Sequence, residues 1–120
     1  MQTRSLPPNS WKATFDSLSR IYEGESASLE VLRGDLGAQF EIEGQPFRGI
    51  SYDNDGIELH FAPRSGRHFV HRINRPKSVQ IEQGDDGSIV AFAIDSDDDP
   101  RAVLRLSAPL ASRLLPTTTA

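Results

Sequence analysis

The side chains in this chain best suited to chemistry crowd into one window, Leu59 to Ile81. It holds Arg64, Arg67, Arg72, Arg75 and Lys77, all three histidines (His60, His68 and His71), and no Asp or Glu. The rest of the chain carries the other eight of its 13 Lys and Arg and all 17 of its Asp and Glu, for a net charge of −4. A local field of that sign attracts a phosphate, a carboxylate or a nucleic-acid backbone. Arg64, Arg67, His68, Arg72, Arg75 and Lys77 are therefore the candidate anion- or nucleic-acid-binding residues. The competing reading is that strand alternation scatters them over two faces, where surface charges merely solvate. The overall negative charge argues against a protein whose whole surface binds nucleic acid.

Metal chemistry has less support. His68 and His71 are three apart, which on a strand sends them to opposite faces. His71, between Phe69 and Ile73, reads as a core histidine with a hydrogen-bonded ring nitrogen. The run Asp95-Ser96-Asp97-Asp98-Asp99-Pro100 starts like a calcium loop, but Pro100 stands where Gly is needed and Leu106 where Glu is needed. It reads as a solvated hairpin tip. No nucleophile elbow or phosphate loop is present, and the chain has no cysteine for a disulfide or a thiolate site. Neither catalysis nor a cofactor is expected. Arg33-Gly34-Asp35 spells an adhesion tripeptide, but its neighbouring glycines already account for a turn.

The elements that must position these residues are organised around Ala38 to Ala62. Phe40 and Ile42 alternate with Gln39, Glu41 and Glu43, and Ile57, Leu59 and Phe61 alternate with Glu58 and His60, the mark of strands with one wet face. Asp53-Asn54-Asp55-Gly56 between them is a hairpin turn. Phe40 and Ile42 are even, Phe47 is odd, and Ile50 and Tyr52 are even again. Keeping all five inward requires a bulge or bend, which Gly44, Pro46 and Gly49 allow.

Around that hairpin, residues 1–8 read as an extended arm because of Pro7 and Pro8. Trp11, Phe15, Leu18 and Tyr22 make a helical stripe over residues 10–23, stopped by Gly24. Shorter strands follow at 28–32, 67–73, from Val79 up to the turn at Gly84, 89–94 and 102–106, with 89–94 apolar enough for a central strand covered on both faces. Residues 110–115 suggest a short final helix. The fold class is α+β: an N-terminal helix on a strongly bent antiparallel sheet of five to seven strands, curling into a partly open small barrel. One domain over 1–120 is expected, with its core at 9–108. No apolar run spans a membrane, and the start lacks the apolar stretch of a secretory signal, so the expectation is a cytoplasmic protein.

Two resemblances add to this reading. Asn9-Ser10-Trp11 with Phe15, Glu30-Val31-Leu32, Gly34-Asp35-Leu36-Gly37-Ala38-Gln39, Phe47-Arg48-Gly49-Ile50-Ser51-Tyr52 and His71-Arg72-Ile73 with Pro76 resemble a family of small bacterial proteins catalogued as a domain of unknown function. The element order, one helix and then a bent sheet with a long second strand, is similar to the Sm-like fold, whose members form rings and bind RNA. The Arg-Gly expected between its last two strands is missing there. Arg33-Gly34 stands near the first turn instead, so RNA binding does not transfer residue by residue. The functional expectation is a non-catalytic binding or interaction module. The alternatives are an RNA or anion binder using residues 59–81, or a scaffold self-associating through its sheet edges.

Overall fold

The structure is a computed structural model and describes residues 1–116. One α-helix, α1 (Trp11–Tyr22), packs on eight antiparallel strands: β1 (Gln2–Leu6), β2 (Ser26–Leu32), β3 (Ala38–Tyr52), β4 (Gly56–Phe61), β5 (Phe69–Asn74), β6 (Pro76–Gln83), β7 (Ile89–Ser96) and β8 (Arg101–Leu110). Their order is β1-β6-β7-β8-β2-β3-β4-β5, with β1 and β5 as the two edges. The α+β class is as read. Among the described residues there are eight strands, not five to seven, and their sheet is not closed into a barrel. The added strand is β1. Pro7 and Pro8 end it, but residues 2–6 before them are free to pair with β6, from Gln2 opposite Gln83 to Leu6 opposite Val79. At the other end, β8 runs to Leu110, and only Ser112–Leu114 make a 3₁₀ turn where a short helix was expected.

The helix forms where the stripe placed it. Trp11, Phe15, Leu18 and Tyr22 are buried, joined by Thr14. Gly24, at φ +88°, lets the chain leave in a conformation that disfavours other residues. The helix stripe meets Leu29, Phe47, Ile50, Leu59, Phe61, Ile81, Phe92 and Leu104 in one core. Fully burying each such side chain contributes about 1.5–3 kcal/mol. The Trp11 indole N–H donates to the Leu6 carbonyl at 2.8 Å, which ties β1 to the helix.

Strand β3 arches because it carries three extra residues. Between Ala27↔Gln45 and Leu29↔Ile42 it advances three residues to two on β2, at Gly44, whose φ is +58° and whose N–H donates to Ser28 Oγ at 2.8 Å. A second extra residue, Glu41, follows before Glu30↔Phe40. The third, Arg48, lies between Phe47↔Phe61 and Gly49↔His60. Each bulge flips the face of everything beyond it. Phe47 and Ile50 are thus both buried despite opposite parity, as anticipated, whereas Phe40 is turned outward and 47% exposed, against expectation. One bulge was anticipated in this arm, and the offset at Glu41 reverses Phe40.

Strand β7 is covered on both faces. Phe92 and Ile94 enter the main core, while Ala91 and Ala93 join Val103 in a small second cluster. Among the described residues, no helix is long and apolar enough to cross a membrane.

Candidate functional site

Strand β3 has two partners in succession. It pairs with β2 from Ala38 to Pro46 and with β4 from Phe47 to Tyr52. Beyond Pro46 one side of its backbone therefore loses its strand neighbour, and the helix end of the chain takes over. Gly24 N–H donates to the Phe47 carbonyl at 2.7 Å, and Phe47 N–H donates to the Glu25 carbonyl at 2.9 Å. Ser19 on α1 then serves Ile50 twice, its Oγ accepting from Ile50 N–H at 2.8 Å and donating to the Ile50 carbonyl at 2.9 Å. Gly49 makes this approach possible: a Cβ there would lie 3.2 Å from Ser19 Oγ.

Where α1 runs beside β3, a cleft of about 360 Å³ opens, lined by Asp16, Ser19, Arg48, Gly49, Ile50, Ser51, His60 and His68. His60 and His68 face each other across the β4–β5 connection, with Nδ1 of His60 3.1 Å from Nε2 of His68 and the rings edge-on at 81°. The other His60 nitrogen, Nε2, is 3.2 Å from Glu58 Oε1. Glu58 in turn accepts a 3.0 Å hydrogen bond from Arg72 Nη1 at its second oxygen. An ionised carboxylate only accepts, so His60 Nε2 carries a proton. Arg48 makes no ion pair or side-chain hydrogen bond among the described residues, and neither does Arg67, which precedes His68.

The residues anticipated from the sequence are distributed as follows. His68 reaches the cleft. Arg64 donates from Nη1 to the Gly44 carbonyl at 3.2 Å, and its N–H bonds Gln45 Oε1. Arg72 lies between Asp53 and Glu58, at 3.4 and 3.0 Å. Arg75 grips Asp98 with two 2.6 Å hydrogen bonds, and Lys77 is 3.3 Å from Asp97. The acidic run is the β7–β8 hairpin tip, as read, with Asp97 and Asp98 exposed to solvent. It folds onto the β5–β6 junction, where Asp99 also accepts the Asn74 N–H at 2.7 Å. The Arg75 guanidinium beside Asp98 holds that carboxyl below the usual carboxylate range. Three of the five basic residues in the window, Arg72, Arg75 and Lys77, are thus paired with carboxylates 14 to 23 residues away in the chain.

His71 lies apart from the other two histidines. It is half-buried on the inner face of β5, but among the described residues no group bonds its shielded Nε2, contrary to the hydrogen-bonded nitrogen expected. Burial pushes its pKa below the ordinary histidine value; Arg33 acts in the same sense, while Glu41 and Asp99 oppose it. Among the described residues, no three His, Asp or Glu side chains are placed to hold a metal ion.

Reading spacing within one strand missed the His60–His68 pair, along with Arg48 and Glu58. The available signal was the hairpin register, which sets His60 opposite Val70 and so brings His68 alongside.

The pattern of one family spans nearly the whole chain, matching residues 2–114. The chain belongs to DUF5335, a family of unknown function. This DUF5335 chain is also similar to an uncharacterized protein of Aquifex aeolicus (strain VF5), 32% identical over 108 residues that cover 88% of this chain and 93% of the relative. No solved structure matches it significantly.

Proposed function

We propose that the protein is a non-catalytic binding module that takes an anionic group in the cleft between α1 and the β3–β4 hairpin. The observation that carries this reading is the cleft itself: Arg48 lines it without an acidic partner among the described residues, beside the hydrogen-bonded His60–His68 pair. A guanidinium left unpaired beside hydroxyls and imidazoles suits phosphate or carboxylate oxygens. The cleft's size falls in the range that takes small ligands. Arg67 and Arg64, on the loop leading to His68, extend the positive side of the site. Arg72 contributes by holding Glu58, whereas Arg75 and Lys77 face their own carboxylates and serve the fold first.

The test is retention on heparin, a repeating polyanion. The wild type should be retained at low salt and released as salt rises, and Arg48→Glu/Arg67→Glu should lose most of that retention. Unchanged retention in the double variant refutes the reading. A mixed RNA pool run in the same way asks whether the anion is a nucleic-acid backbone.

A second reading, self-association, is favoured by the two open sheet edges, β1 and β5, and by Val70 exposed on β5. Unpaired edges are ready to accept another strand. Light scattering that reports a strict monomer at high concentration removes it. An Sm-like kinship rests on the order of one helix and a long arched strand alone. A bacterial origin fits the Aquifex relative, and a cytoplasmic protein acting as one domain belongs to the same proposal.

A further inference from the structure

The cleft's two histidines are wired in a way that simple charge attraction does not require. Because Glu58 fixes a proton on His60 Nε2, a neutral His60 offers the lone pair of Nδ1 to His68, whose Nε2 must then carry the proton shared at 3.1 Å. That leaves His68 Nδ1, which bonds no group among the described residues, as a hydrogen-bond acceptor. Adding one proton at that atom turns it into a donor and disturbs neither hydrogen bond behind it. A second proton on the pair would set two N–H groups against each other at His60 Nδ1 and break the chain. The Glu58–His60–His68 chain is thus built to take up one proton, at its outer end.

We infer that this chain couples oxyanion binding to protonation: a phosphate- or sulfate-like group enters the cleft together with one proton, held by Arg48 and by His68 Nδ1–H. The inference rests on the anion-binding reading above and adds its regulation. The charged groups around the pair act in two directions, acids for the proton and arginines against it. Glu58 on β4, already shared with Arg72 of β5, supports a positive pair from behind. Asp16 on α1, 3.2 Å from Lys12, lines the same cleft and also favours it. Arg48 on β3 opposes the proton until an anion neutralises it, as does Arg67 beside His68. Anion and proton therefore each favour the other's binding, and by linkage the coupling is reciprocal.

Sulfate is the probe, since it does not itself titrate near neutral pH. Isothermal titration of the full chain at pH 6.5, in two buffers of different ionisation heat, should give binding heats that differ between buffers. The difference should report net uptake of up to one proton per sulfate, with affinity falling several-fold between pH 6 and pH 8. His68→Gln should remove both the buffer dependence and the pH dependence. His68 is exposed on a connecting segment, so the variant should keep the wild-type unfolding midpoint, which circular dichroism checks. Sulfate binding with the same heat in both buffers overturns the coupling and leaves the anion-binding reading standing. Binding that stays buffer-dependent in His68→Gln also overturns it, because the proton then goes elsewhere. No sulfate binding overturns both.

Discussion

Ser19→Ala removes one hydroxyl and should loosen the seam on which the cleft is built. The Ser19 Oγ both accepts from Ile50 N–H at 2.8 Å and donates to the Ile50 carbonyl at 2.9 Å, on the side of β3 that β2 has left. No strand replaces it there. An unsatisfied buried polar group costs about 1–3 kcal/mol, and Ser19 borders the open cleft, so water can restore part of one bond; the net loss should be about 2 kcal/mol. Urea unfolding followed by the fluorescence of Trp11, the single tryptophan, measures it. With a denaturant slope of about 1–3 kcal/mol/M, the midpoint should fall by roughly 1 M. Hydrogen exchange at the Ile50 amide should accelerate in parallel. A loss below about 0.5 kcal/mol, the range of a neutral surface change, together with an Ile50 amide still protected, refutes the idea that Ser19 stands in for a strand.

Other substitutions probe the rest of the frame. Trp11→Ala empties a buried site and frees the Leu6 carbonyl, so it should destabilise by about 3–5 kcal/mol and release β1 from β6, seen as lost amide protection at residues 2–6. In Gly56→Ala the new Cβ would lie 2.7 Å from Arg72 Nη2 and 2.9 Å from the Ile73 carbonyl, so about 1–3 kcal/mol should be lost in thermal or urea unfolding. For His71, burial lowers the folded-state pKa, so below the ordinary value of 6.5 the unfolded chain binds the extra proton first. Stability should therefore decline as pH falls below about 6.5 and level off once the folded-state pKa is passed, and His71→Phe should flatten that decline in unfolding midpoints taken across the window.

The parts of this structure that local chemistry dictates were legible in the chain. Asn54, in the expected turn, adopts φ +79°, and Asp53 Oδ1 accepts the N–H groups of Asp55 and Gly56 at 3.1 and 2.9 Å. The parity break between Phe47 and Ile50 announced a bulge, and the helical stripe announced a buried face. The parts that depend on long-range meetings were hidden. Phe40 points outward because of an offset at Glu41, which no residue type marks. Strand β1 exists because β6 offers it an edge, whatever the prolines after it suggest. The basic window and the acidic run look like separate features until Arg75 is seen on Asp98 and Lys77 on Asp97. His60 and His68 meet only because the β4–β5 hairpin returns one beside the other, and a search along a single strand does not look there.

The central claim is that anions bind at the α1–β3–β4 cleft and not along the whole basic segment. Sulfate titrated into the uniformly ¹⁵N-labelled protein addresses it residue by residue in ¹H–¹⁵N spectra. Saturable shifts should appear at the amides of Gly49, Ile50, Ser51, His60 and His68 and leave Leu36 and Phe40 unmoved. Shifts confined to Arg75, Lys77 and their neighbours, or none at the cleft, would contradict the account.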